Sequence, residues 1–197
     1  LKKMSSINKK VNPYKFLNRR RICSNTKFNV YFDHLISPNQ IEIKDFLIIK
    51  PRILKENKVV GICVLPVFNN RFGLMAGWRH QFNEIIYQAP AGFIEEQEQP
   101  EETAIRELKE ETSLICNIKD LISLGYYLPD AGLIEGRVAL FLALNCNKIS
   151  NKNLDKEIGT GTIDFFTKEE LGELIKSSSN IGGSTLVACF RAIERLD

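Results

Sequence analysis

A chain of 197 residues with 44% apolar and 26% charged content is an ordinary globular balance, sufficient for one main core and a small second unit. No run approaches the roughly 20 apolar residues of a membrane helix, and the first residues lack the apolar core of a secretory signal, so the sequence reads as a soluble, cytoplasmic protein with no membrane partner. The net charge of +3 hides an asymmetry: nine basic residues, Lys2 to Lys27, precede the first acidic residue, Asp33, and the other 18 face 24 acidic ones.

Residues 1–21 read as a basic tail, whose charge suits nucleic-acid contact, organelle targeting or plain solvation. Solvation is the common fate of a terminus, and nucleic acid is not the expected partner. Residues 22–55 read as a small antiparallel β subdomain, in which 28–35 and 41–49 alternate polar and apolar positions around Ser37-Pro38-Asn39-Gln40. The main domain takes 56–197. Its first strand, 59–68, is β-branched and apolar enough to be buried on both faces.

The Asn69-Asn70 turn leads to strands at 72–78 and 84–90, before the chain is expected to turn at Pro90-Ala91-Gly92. A helix near 100–112 follows, then strands at 120–128, 137–144 and 161–166, and helices at 167–176 and 182–196. Strands on both sides of one helix, with two helices closing the chain, argue for a mixed sheet sandwiched by helices. The five scattered cysteines form no CxxC pair and have no histidines at zinc spacing, so they read as reduced thiols.

The first helix carries the chemistry. Pro100, Glu101 and Glu102 suit a helix start, and at ~100° per residue Ala104, Ile105, Leu108 and Thr112 share an apolar arc beside Glu107, Glu110 and Glu111. Three carboxylates at i, i+3 and i+4 repel one another unless a hard divalent cation such as magnesium or manganese lies between them. Taken alone, the helix reads as a charged outer face. The wider spacing decides: Gly92, five residues, Glu98, seven residues, Arg106-Glu107-Leu108-Lys109-Glu110-Glu111, one residue, then Ser113 and Leu114.

This pattern resembles the Nudix box, departing from it only at Ser113, where the family has glycine. The resemblance implies an α/β fold, the Nudix α/β/α sandwich with a mixed sheet, here preceded by the antiparallel β subdomain. Pro90-Ala91-Gly92, Arg79 and Pro129 are similar to the ADP-ribose pyrophosphatase branch, whereas Gln88, where a glutamate is common, and a longer loop at 128–132 depart from it. The resemblance implies that Glu107, Glu110, Glu111 and the Ala91 carbonyl hold Mg2+, with Mn2+ an alternative. Arg106 would orient the glutamates and Glu98 would brace the loop at the helix entrance. Arg79, Gly92, Pro129 and Glu135 would form the substrate-binding set, and Glu157 would serve as base. The implied reaction is hydrolysis of a nucleotide sugar, ADP-ribose to AMP and ribose 5-phosphate, by a homodimer. GDP-mannose, a nucleoside triphosphate, or an idle nucleotide- or RNA-binding domain are the rivals.

Overall fold

The structure, a computed structural model, describes residues 12–149 and 162–196. These divide into two units, one taking the described residues up to Arg52 together with Asp130–Glu135, the other Ile53–Pro129 and the described residues from Gly136 on. No described helix is long and apolar enough to cross a membrane.

The first unit is a three-stranded antiparallel sheet in the order β1 (Lys15–Ser24), β2 (Phe28–Ile36), β3 (Glu42–Pro51). Residues 15–21, read from sequence as tail, form most of β1. The strand closes because β2 answers its charge: Arg19 lies opposite Asp33 and grips it with Nε at 2.6 Å and Nη2 at 2.8 Å. The Arg19 and Arg20 guanidinium groups also lie 5.0 and 5.5 Å from the ring centres of Tyr31 and Phe32. Asp130–Glu135 joins this unit by backbone pairing: the Ile49 amide donates to Leu133 O, and the Glu135 amide donates to Ile49 O, both at 2.9 Å.

The second unit contains β4 (Val59–Phe68), β5 (Arg71–Arg79), β6 (Glu84–Gln88), β7 (Ala91–Phe93), α1 (Pro100–Thr112), β8 (Leu114–Ile115), β9 (Leu121–Tyr127), β10 (Arg137–Ala143), β11 (Asn147–Lys148), β12 (Ile163–Phe166), α2 (Lys168–Ser177) and α3 (Gly183–Leu196). The main sheet runs β12-β5-β4-β10-β9, with β6 on β5 and β7 on β4. Among its ladders only β4 with β10 is parallel, so the sheet is mixed. The turn between β4 and β5 is made by Asn69 and Asn70 at φ 49° and 58°, the left-handed pair that suits a tight hairpin.

Alternation along the central strands builds a core on each face. Cys63 and Leu65 of β4, with Leu140 and Leu142 of β10, pack with Leu171 of α2 and Ala188, Cys189 and Ala192 of α3. Ile62 and Val64, with Ala139, Phe141 and Ala143, pack with Ala104 and Leu108 of α1. The glutamate helix therefore covers one face and the closing helices the other, which is the α/β/α sandwich.

One local expectation changes. Pro90-Ala91-Gly92 does not serve as a turn; Ala91–Phe93 is β7, antiparallel to β4, and the Val64 amide donates to Pro90 O at 2.9 Å while the Ile94 amide donates to Val60 O at 3.1 Å.

Candidate active site

Helix α1 begins at Pro100, which needs no donor there, and the Glu102 carboxylate accepts the Gln99 amide at 2.8 Å. It ends at Ser113, whose φ of 58° and ψ of 22° are left-handed, a conformation costing a serine about 1 kcal/mol. Thr103, Ala104, Glu107, Leu108 and Thr112 are the buried positions. The buried arc is thus rotated toward the carboxylates compared with the sequence expectation, leaving Ile105 half-buried and taking in Glu107 at 9% exposure.

The reason is Gly92. A Cβ built there would lie 1.8 Å from Glu107 Oε1 and 2.2 Å from its Cδ, so only a bare Cα of β7 lets this carboxylate lie against the strand. Gly92 has no positive φ. It is required by close approach, not by backbone conformation.

One guanidinium organises the acids. Arg106 presents Nε and Nη2 to Glu98 at 2.7 and 3.0 Å, and its Nη1 donates to Glu107 at 2.8 Å and Glu110 at 2.9 Å. Its fork is filled by protein, so Arg106 positions acids. Glu98 also accepts from Thr103 Oγ1 at 2.7 Å, a buried partner that hydrophobic patterning did not single out. The Arg106 bond, ahead of the Thr103 bond, holds the Glu98 carboxyl down at about 2, and the acids raise Arg106 in turn.

A folded-state pKa below the unfolded one stabilises the fold at pH above the ordinary carboxylate range, and that stabilisation fades as pH falls toward 2. Acid titration of thermal stability is therefore expected to show a loss between pH ~4.5 and ~2 that Glu98→Gln does not share. An identical acid profile in the variant would contradict this.

Glu111 accepts the Ala91 amide at 3.0 Å. Ala91 faces Cys63 at a non-hydrogen-bonded position, flanked by the Val64–Pro90 and Ile94–Val60 bonds. Its amide and carbonyl are consequently both turned out of the β4 ladder. Among the described residues no three His, Cys, Asp or Glu side chains are already gathered into a metal cage. The donor chemistry nevertheless fits a hard cation: three carboxylates share one guanidinium, Glu111 is held by the Ala91 amide, and the carbonyl outside the ladder is a further oxygen.

The remaining expected residues are placed differently. Arg79 ends β5, and its Nη2 donates to Gln88 Oε1, a buried acceptor near the end of β6. Pro129 closes the segment after β9 and is half-buried. Glu135 belongs to the first unit, where its carboxylate is 3.7 Å from Arg19 Nη1. Glu157 lies outside the described residues.

The chain resembles known proteins. It is 28% identical over 131 residues to a methanol dehydrogenase activator of Bacillus methanolicus, covering 65% of this chain and 69% of that protein. It is 24% identical over 130 residues to the CMP-5'-(N-acetyl-N-hydroxy-3-aminopropyl)phosphonate hydrolase of Streptomyces rubellomurinus, covering 64% of this chain and 61% of that enzyme. The crystal structure of an ADP compounds hydrolase superposes with a TM-score of 0.77 at 17% identity, covering 95% of this chain and 96% of that one, which shows a shared fold. The NUDIX domain model matches residues 57–181, enclosing β7, the Arg106 network and the sheet that carries them, and by that match the chain belongs to the Nudix family.

Proposed function

We propose that the chain is a divalent-metal-dependent hydrolase that cleaves the pyrophosphate bond of a nucleoside diphosphate sugar, with ADP-ribose giving AMP and ribose 5-phosphate. The observation that carries this reading is the set Glu107, Glu110 and Glu111, drawn together on one helix by Arg106 and the Ala91 amide. Magnesium or manganese, held by these carboxylates and the Ala91 carbonyl, would supply charge neutralisation and an acidified water.

The chain's own residues do the rest. Gly92 gives Glu107 its place, Glu98 keeps Arg106 from leaving the cluster, and Arg79 offers a forked donor to a substrate phosphate. Gln88 supports that role, because a neutral acceptor holds the guanidinium without cancelling its charge. Glu157 remains the proposed base and Glu135 a proposed substrate contact. Two of the similar proteins are hydrolases, one of ADP compounds and one of a CMP-linked phosphonate, which agrees with a nucleotide-bearing substrate.

A panel of ADP-ribose, GDP-mannose, a CMP-linked phosphonate and nucleoside triphosphates, with magnesium and products read by mass, tests the reading. The expected result is highest kcat/KM on ADP-ribose, with Arg79→Ala raising KM more than it lowers kcat. Highest kcat/KM on another compound would overturn the substrate and keep the chemistry.

A further inference from the structure

Strands β8 and β11 pair antiparallel, with Leu114 opposite Lys148 and Ile115 opposite Asn147. One step on, the same register sets Cys116, just after β8, opposite Cys146, just before β11. The hydrogen bonds define the kind of pair. The Ile149 amide donates to Ser113 O at 2.9 Å, so by alternation 147 with 115 is a hydrogen-bonded pair and 146 with 116 is not.

The Cys146 amide agrees, donating to Val67 O at 3.0 Å and not across to Cys116. At such positions Cα atoms approach to about 4.5 Å with side chains on one face, inside the roughly 4.4–6.8 Å that a disulfide requires. Both thiols are free, and the Cys146 thiol donates to Ala143 O at 3.3 Å. Cys116 is half-buried and lines a surface depression with Ile105, Lys109 and Ile118. Cys146 is buried but lines a second depression with Asn69, Asn145 and Lys168. The neighbouring Cys116 thiol pulls the Cys146 pKa below the ordinary thiol range, against burial, which raises it. Cys63 and Cys189 are fully buried, and Cys23 belongs to the other unit.

We propose that Cys116 and Cys146 form a redox-active dithiol that a small peroxide converts to a disulfide. One sulfur attacks the peroxide O–O bond, becoming a sulfenic acid and releasing an alcohol, or water when the oxidant is hydrogen peroxide. The second sulfur then attacks the sulfenic sulfur, the S–S bond forms, and the hydroxyl leaves as water with the second thiol proton. Two electrons pass from the sulfurs to the peroxide. The cross-link ties the segment leaving the glutamate helix to the segment leaving β10.

The experiment needs no turnover and stands apart from the hydrolase reading. The full reduced chain is treated with hydrogen peroxide, alkylated, digested without reduction and analysed by mass. The expected result is one dominant cross-linked peptide joining Cys116 to Cys146, reversed by a thiol reductant and absent in both Cys116→Ser and Cys146→Ala. Recovery of both residues alkylated after peroxide would overturn the proposal. Cross-links to other cysteines, or separate sulfinic or sulfonic acids at 116 and 146, would overturn it equally.

Discussion

Glu111→Gln is expected to lower kcat on the best substrate by roughly 10²- to 10³-fold, about 3–4 kcal/mol of transition-state stabilisation, while the protein melts as the wild type does. The amide keeps the shape of the side chain, and its Oε1 can still accept the Ala91 amide that Glu111 holds at 3.0 Å. What it loses is the negative charge, and a metal-binding role depends on that charge more than a packing role does. Steady-state kinetics beside a thermal melt separate the two. Wild-type kcat in this variant would remove Glu111 from the site.

Gly92→Ala is expected to be at least as damaging, by a different route. The new Cβ would meet the Glu107 carboxylate head on, with 1.8 Å to Oε1 and 2.2 Å to Cδ. Glu107 must swing away, leaving a half-filled place beside Arg106 Nη1, which it meets at 2.8 Å. Overpacking of this kind costs about 1–3 kcal/mol of stability, and the displaced carboxylate adds a loss of turnover on the order of 10²-fold. Combining Gly92→Ala with Glu107→Ala checks the cause: the double variant should regain stability but not activity, a non-additive result that isolates the contact. A Gly92→Ala protein that folds and turns over normally would contradict the geometry.

The site was readable because most of its spacing is local. Residues 106, 107, 110 and 111 lie on adjacent faces of one helix whatever the tertiary structure, and Ser113 shows its left-handed role from position alone. What escaped depended on distant partners. The arginines of β1 read as a solvated tail until Asp33, 14 residues on, supplies the opposite charge. Pro90-Ala91-Gly92 carries turn residues, yet β4 recruits it as a strand. The apolar arc of α1 seemed to include Ile105 because periodicity counts hydrophobicity, whereas the bare Cα of Gly92 draws a glutamate into the buried face instead. Strands of two residues, β8 and β11, are too short for any period to show.

In the proposed function, α1 is a divalent-metal site serving hydrolysis of a nucleotide diphosphate. Turnover of ADP-ribose by protein stripped with a chelator, before and after magnesium or manganese is returned, tests it most directly. No turnover is expected in the stripped protein, full recovery with either ion, and little recovery in Glu111→Gln at the same concentrations. Unchanged turnover in the stripped protein would contradict it.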